Sequence, residues 1–188
     1  MNRPILSPAD LKGLKIRVQQ SPTNVQMLAA LGGSATPRGV GEVYTALQSG
    51  VIDGAENNEL ALTSNGHGDV CRHYSYDMHQ MIPDIVLGSC TFLDSLSEGE
   101  REIFEEGFRL ISAVQRENWT SAVEKAQKRA REEQKVTFHY PDTTPFRDRC
   151  IPMHRELLNR YPELEPVYER ISAYNAAFPA AADKEAGT

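Results

Sequence analysis

One arginine stands where a charged side chain is unusual. Arg17 lies in residues 13–18 (GLKIRV), whose apolar Leu14, Ile16 and Val18 predict a buried strand. It comes one residue before the carboxyl end of that strand, and ligands of open α/β sheets bind in the crevice beyond such ends. Because a planar guanidinium suits bidentate binding of a carboxylate, we interpret Arg17 as a candidate anion-binding residue. An arginine that reaches solvent or pairs with a structural acid is the alternative.

A polar loop follows another predicted strand of the same kind. Residues 51–55 (VIDGA) predict a short strand that leads into Glu56, Asn57 and Asn58. Asn57 can both donate and accept hydrogen bonds, which fits a ligand with hydroxyl or carboxylate groups, and Glu56 is open to the same interpretation. Since asparagine is also common in ordinary turns, the loop alone leaves both interpretations open.

One cluster of side chains has the chemistry of metal ligands. It comprises His67, Asp69, Cys71, His73, Asp77 and His79. Alternate residues of a strand point to one side, so the first four would converge if residues 67–73 were extended. The spacing matches no familiar metal motif, and a surface strand with polar side chains is the simpler interpretation. We therefore expect neither a metal nor a cofactor.

Motifs of catalysis and nucleotide binding are missing from the sequence. It has no GxSxG elbow, no Walker motif and no paired catalytic carboxylates. Gly32 and Gly33 follow a predicted helix instead of opening one, so they end a helix and do not cradle a phosphate. The three cysteines are odd in number and widely spaced, which does not argue for an oxidising compartment.

Length, composition and charge exclude several classes of protein. The 188 residues amount to one ordinary domain or a large part of a two-domain protein. With 40% hydrophobic and 24% charged residues, the chain can bury a core. Its net charge of −6 makes nucleic acid a poor partner. No stretch approaches the roughly 20 apolar residues of a membrane span, and the charged first 17 residues predict no signal peptide in this chain.

The elements that must position the candidate residues alternate in the first half of the chain. Strands are predicted at residues 13–18, 35–37, 51–55, 74–79 and 82–90. A helix is predicted between Ser21, its N-cap, and Gly32, and a second helix over residues 41–49. Such strand–helix–strand units predict an α/β fold with a mostly parallel sheet and flanking helices, in which the apolar residues 82–90 would be central.

The second half is mainly helical. Ser97 and Glu100 have the spacing of a capping box, and the helical pattern then continues to about residue 134. Later elements are predicted as a strand at residues 136–140 and helices at 144–160 and 166–174. A helix that exceeds the roughly 20 residues common in globular proteins is expected to span a second lobe or to reach a partner.

Five stretches of the sequence, in order, resemble one family of proteins. They are DLKGLKIRV (10–18), ALGG (30–33), TP (36–37), EVYTALQSGVIDGAENN (42–58) and LDSLSEGEREIFEEG (93–107). Together they resemble the periplasmic solute-binding proteins of TRAP transporters, the DctP-like family. The resemblance covers nearly all of the chain, and residues 42–57 are its most specific part.

The resemblance implies a binding protein and not an enzyme. Such proteins have two α/β lobes joined by a hinge, with a long helix across both lobes. They capture an organic acid in the cleft and deliver it to a membrane permease. The resemblance places the selectivity arginine of the family at Arg17, its ligand-contacting asparagine at Asn57 and the neighbouring acid at Glu56.

Two short stretches indicate which class of organic acid the resemblance implies as the ligand. Residues 56–58 (ENN) and 77–83 (DMHQMIP) resemble members associated with hexuronic acids such as galacturonate and glucuronate. His79 is therefore a further candidate contact of the ligand. A C4-dicarboxylate is the next candidate ligand.

The resemblance begins well inside the sequence of the family. We therefore expect this chain to lack the signal peptide, nearly all of the first lobe and a second cleft arginine. Apolar faces that the first lobe covers would be exposed, which favours self-association. Water would screen a carboxylate at Arg17, so we expect this chain alone to bind its acid weakly or not at all.

The resulting prediction divides the chain into four parts. They are a ligand-binding α/β lobe at residues 1–92, a lobe-spanning helix at 93–135, a strand and helices that complete the lobes at 136–178, and a frayed tail at 179–188. Two alternatives stay open at this point: a metal-dependent hydrolase that uses His67, Asp69, His73 and His79, and a fragment without function that forms oligomers.

Overall fold

A three-stranded parallel sheet carries Arg17 on its central strand. In a computed structural model that describes residues 3–178, the strands β1 (Lys15–Val18), β2 (Ser34–Pro37) and β3 (Gly54–Ala55) are ordered β2-β1-β3. Both neighbours of β1 run parallel to it. The α/β class and the parallel sheet predicted from the sequence are confirmed. The strand predicted at 51–55 shrinks to two residues, because only Gly54 and Ala55 pair with β1.

Short helices connect these strands, as the sequence predicts. α1 (Pro22–Leu31) follows Ser21, has proline in its first turn and ends at Gly32, whose φ of 95° is left-handed. α2 (Val43–Gln48) occupies most of the second predicted helix.

The main core lies between β1, α1 and a later helix, α7 (Thr144–Arg160). Its buried side chains are Ile5, Leu11, Ile16, Val18, Met27, Leu28, Leu31, Phe146 and Cys150. The core therefore joins residues far apart in the sequence and holds β1 firmly in place.

The region after β3 differs from the strand predicted there. α3 (Leu60–Ser64) and α4 (His67–Val70) are short helices, so residues 67–70 are not extended. β4 (His73–Ser75) pairs in parallel with β5 (Thr137–His139) in a second, two-stranded sheet. The strand predicted at 74–79 is thus shorter, since β5 offers it only three partners.

The strand predicted at residues 82–90 is wrong. Residues 76–89 have no regular secondary structure, and every residue from 81 to 90 is exposed. Apolar composition suited this segment to a central strand, but a strand also needs a partner for its backbone N–H and C=O groups. No strand of the described chain, residues 3–178, pairs with it.

One helix is far longer than the others. After α5 (Cys90–Asp94), α6 (Glu98–Glu132) runs for 35 residues. The predicted capping box is present, since the backbone N–H of Ser97 donates to Glu100 Oε2 at 2.9 Å. Only Ala126 and Ala130, near its C-terminus, are buried. Within residues 3–178, no helix is long and apolar enough to cross a membrane.

The last two helices follow the sequence prediction closely. α7 has the predicted bounds and contains Pro152, and α8 (Glu165–Ala177) is slightly longer than expected. The predicted frayed tail at 179–188 lies outside the described residues. The division of the chain into lobes and a lobe-spanning helix stays a prediction.

Candidate functional site

Arg17 is almost fully buried at the carboxyl edge of the three-stranded sheet. Its residue surface is 4% exposed, and its Nε donates to the carbonyl oxygen of Arg38 at 3.0 Å. Its Nη1 lies 3.8 Å from Oε1 of Glu56. Burial of an unpaired charge is costly, so these partners are what allow a guanidinium on an interior strand.

Glu56 is brought to Arg17 by β3, which ends one residue earlier. Its backbone N–H donates to the carbonyl oxygen of Arg17 at 3.3 Å. Its Oε1 accepts from the backbone N–H of Gln19, also at 3.3 Å. Burial raises the pKa of the Glu56 carboxyl above its usual range, although the charges of His79 and Arg17 act in the opposite direction. Glu56 thus links the ends of β1 and β3.

His79, in the segment after β4, lies near the charged pair formed by Arg17 and Glu56. Its Nδ1 lies 2.5 Å from Oδ1 of Asp77, and both side chains are less than one-fifth exposed. Burial opposes the charged imidazole. The hydrogen bond and charge of Asp77, together with the charge of Glu56, outweigh that effect and raise the pKa of His79.

Asn57 is half-buried beside Glu56. Its Oδ1 accepts from the backbone N–H of Asn58 at 2.9 Å, whereas the turn contact two residues on is made by Asn58, whose Oδ1 accepts from the backbone N–H of Leu60 at 3.1 Å. Its main-chain carbonyl accepts from the hydroxyl of Tyr74 at 2.9 Å, and this bond ties the loop after β3 to β4. Asn57 therefore keeps its amide N–H groups and a second lone pair of Oδ1 for further hydrogen bonds.

Three of the four predicted site residues border one large open cavity. Glu56, Asn57 and His79 line a space of about 1020 Å³, which is at the upper end of the range for small-molecule sites. The wall also carries aromatic and amide groups, namely Tyr74, Tyr76, Trp119, Gln127 and Tyr140. Arg17 does not border this space directly, and its link to the cavity runs through Glu56. The structure therefore brings the four residues into one charged cluster with Asp77.

The cluster of potential metal ligands does not converge as an extended strand would place it. His67 is buried on α4, where Asp69 accepts from Gln134 Nε2 at 3.0 Å. His73 instead faces His139, with 2.9 Å between Nδ1 and Nε2. In the described range 3–178, no group of three or more His, Cys, Asp and Glu side chains could hold a metal ion. The expectation that residues 67–73 share one face of a strand is wrong, because α4 turns the chain.

Sequence reasoning missed two groups that shape the site. The sequence marks Asp77 as a possible metal ligand and as part of the stretch 77–83, but not as the partner of His79, which its carboxylate contacts in the structure. The sequence predicts Tyr74 only as the start of a strand, yet in the structure its hydroxyl donates to the main-chain carbonyl of Asn57. The Asp-x-His spacing at 77–79 is the signal that would have found the first contact. No local signal marks the second contact, which joins residues 17 positions apart.

Relatives of known sequence share most of this chain. An uncharacterised protein of Salmonella typhimurium, YiiZ, is 42% identical over 168 residues, which are 89% of this chain and 51% of that protein. A solute-binding protein of Chromohalobacter salexigens is 33% identical over 87% of this chain and 49% of its own length. The chain therefore spans about half the length of the curated relatives it matches.

Solved structures of solute-binding proteins have the same fold as this chain and are similar to it in sequence. A TRAP periplasmic solute-binding protein of Anaerococcus prevotii, with bound α/β-D-glucuronate, superposes with a TM-score of 0.90. It is 56% identical, and the match covers 95% of this chain and 58% of that one. A family match extends over residues 1–160. The chain belongs to the bacterial extracellular solute-binding proteins of family 7, the DctP family, and forms part of an α/β solute-binding fold.

Proposed function

We propose that this chain is the ligand-binding portion of a TRAP transporter solute-binding subunit and that its ligand is a hexuronic acid, D-glucuronate or D-galacturonate. The observation that carries the proposal is the 56% identity, over 95% of this chain, to a protein that holds D-glucuronate. A Xanthobacter autotrophicus relative of the same kind, with a TM-score of 0.85 and 34% identity, holds β-D-galacturonate. The two sugars differ in one hydroxyl configuration, so one charged site with several polar partners suits either.

The charges of the candidate site fit such a ligand. A hexuronate has one carboxylate and several hydroxyl groups, so it needs a cation together with groups that donate and accept hydrogen bonds. Arg17 is the group that would bind the carboxylate, and Glu56, Asn57 and His79 would contact hydroxyl groups. The aromatic wall of the cavity offers apolar faces for the sugar ring.

The remaining parts of the proposal concern the wider assembly. The subunit would act in the periplasm, bind its acid without chemical change and deliver it to the TRAP membrane permease. The family assignment supports this role. The chain spans about half the length of its relatives, so this role is proposed from the portion that matches them.

Thermal unfolding with a panel of acids tests the proposal. The chain is melted alone and with D-glucuronate, D-galacturonate, succinate or sialate at millimolar excess. A ligand that binds only the folded chain adds about 2.7 kcal/mol at a hundredfold excess over Kd. We expect a hexuronate to raise the midpoint more than succinate or sialate does.

Two variants separate binding at Arg17 from a general salt effect. Removing Arg17 alone leaves Glu56 buried without its partner, so the test uses the double variant Arg17→Met/Glu56→Gln, which removes both charges. Arg147→Met/Asp148→Asn, which removes an exposed ion pair of α7, is the matched control. The hexuronate effect should vanish in the double variant and persist in the control. A hexuronate effect that survives in the double variant, or a larger effect of succinate or sialate than of either hexuronate, would contradict the proposal.

A further inference from the structure

The segment after β4 places a carboxylate and an imidazole in direct contact at the wall of the cavity. Asp77 Oδ1 lies 2.5 Å from His79 Nδ1 and 3.4 Å from the backbone nitrogen of His79. One carboxylate oxygen therefore contacts both the ring and the main chain of the histidine two residues later. The main-chain contact holds the Asp77 carboxylate beside His79, and the ring contact then favours one orientation of the imidazole.

We propose that Asp77 is a positioning residue of the binding site. It fixes the ring of His79 and keeps it protonated, so that His79 presents its Nε2–H to the ligand as a second cationic donor near Arg17. This inference rests on the proposed function, because it assigns His79 a role toward the bound acid. Neither residue would change the ligand chemically, and their role is confined to affinity and its dependence on pH.

The tautomer follows from the hydrogen bond. A carboxylate can only accept, so the Nδ1 atom that faces Asp77 must carry a proton. The other nitrogen, Nε2, belongs to a side chain that borders the cavity. In the neutral ring Nε2 would be an acceptor, and in the charged ring it becomes a donor. Only the charged ring can therefore donate to a ligand oxygen.

The charged groups around His79 favour the protonated ring. Two carboxylates act on it, Asp77 by direct contact and Glu56 by its charge, and they raise its pKa despite burial. Glu56 in turn faces Arg17, His79, Asp77 and the backbone N–H of Gln19. Two cations and two carboxylates thus form the cluster, so an added carboxylate meets a site whose formal charges cancel. Loss of the charge on His79 would leave the ligand facing a net negative cluster.

The direction of the pH effect follows from the raised pKa. The favourable charge of His79 is fully present when pH lies below its pKa and is lost as pH rises through that value. Affinity for the acid should therefore decline as the solution becomes more alkaline. Asparagine at position 77 cannot balance the charge, so the decline should begin at lower pH in Asp77→Asn.

The first test needs no ligand. Ring-proton NMR follows the titration of His79, assigned by the signal lost in His79→Gln, in the unaltered chain and in Asp77→Asn. Asp94→Asn, an exposed acid that pairs with Arg101, is the matched control. We expect His79 to titrate above the usual histidine value of about 6.5, and at lower pH in Asp77→Asn only. A wild-type midpoint at or below that value, or an unchanged midpoint in Asp77→Asn, would overturn the inference.

The second test adds D-glucuronate to the same samples across a range of pH. Loss of a hydrogen bond to a charged group lowers affinity by about tenfold, and we expect this loss at pH 7 in Asp77→Asn. Equal affinity and an equal pH profile in both chains would overturn the inference while leaving the proposed function intact. If no hexuronate binds the unaltered chain, the proposed function fails, and the ligand-free titration alone decides the state of His79. A thermal melt of each variant excludes loss of fold as the cause.

Discussion

The two ends of α6 lie in different surroundings. Near its C-terminus Ala126 and Ala130 are buried, and Ala130 packs with Leu62 and Val136. From residue 81 to residue 125, by contrast, no residue is buried. The exposed part includes apolar side chains that would normally be covered, namely Ile103, Leu110, Ile111, Val114 and Trp119. The same helix therefore joins a packed region to an exposed one. We call the exposed part, residues 81–125, the bare region.

The described residues supply the packing partners of one region but not of the other. The packed region contains the three-stranded sheet, the main core and Arg17, all supplied by residues before 76 and by α7. The bare region has the apolar spacing of a packed helix but has no covering element within residues 3–178. Helical order at α6 thus follows from local sequence, whereas its burial depends on something that the described residues do not provide.

Truncation of a core aromatic residue should show the largest difference between the two regions. Phe146 is 1% exposed in the main core, whereas Phe178 follows α8, in which every residue is exposed, and is itself 64% exposed. We expect Phe146→Ala to lower the free energy of unfolding by about 3–5 kcal/mol, through lost burial and the cavity left behind. Phe178→Ala should change it by less than about 0.5 kcal/mol. Urea unfolding of both variants measures the comparison, and equal effects would contradict it.

Glycine replacements should give a smaller effect with opposite signs. A Cβ atom on Gly68 would lie 2.3 Å from Oε1 of Gln134, which is buried between α3 and α4, so Gly68→Ala should destabilise by about 1–3 kcal/mol. Gly99, in the first turn of α6, has open space around it. Gly99→Ala should therefore be neutral or stabilise by up to about 1 kcal/mol. Chemical denaturation of the pair decides the signs, and a stabilised Gly68→Ala would count against the packing described for α4.

Charges placed on the bare helix should change association with little effect on stability. Leu110 and Val114 lie one helical turn apart and are exposed. If this apolar stripe drives self-association, the double variant Leu110→Lys/Val114→Lys should shift the chain toward monomer, with a stability change within about 0.5 kcal/mol.

The control for that experiment lies on the opposite side of α6. Ala113→Lys/Thr120→Lys adds the same charge at exposed positions on the side of α6 that carries none of these apolar residues. Sedimentation at several concentrations compares the two double variants with the unaltered chain. A monomeric unaltered chain, or equal dissociation in both variants, would show that the stripe is not an association surface.

Local signals accounted for the elements that sequence reasoning placed correctly. The Ser-Pro start and glycine end of α1 and the capping box of α6 depend on neighbouring residues only, so the sequence contains the whole signal. The strand at 82–90 failed for the opposite reason. Its apolar composition is real, but pairing is a long-range property, and the described chain offers it no partner strand.

In the candidate site, too, local features could be predicted from the sequence and long-range contacts could not. Arg17 was predicted from its place at the end of a buried strand, and the structure puts it there with Glu56 beside it. The bond between Asn57 and Tyr74 could not be predicted, because it depends on how the two sheets meet. The assignment of these residues as ligand contacts stays a proposal.

If a hexuronate carboxylate binds at Arg17, as proposed, it must change the surroundings of the Arg17 guanidinium. NMR of a ¹⁵N-labelled chain can follow the Arg17 Nε–H, which donates to the carbonyl of Arg38, during a titration with D-glucuronate up to tens of millimolar. We expect a saturable shift of that signal together with the amides of Glu56 and Asn57, and a smaller or absent response to succinate. Shifts that never saturate, or that occur only outside these residues, would contradict the proposal.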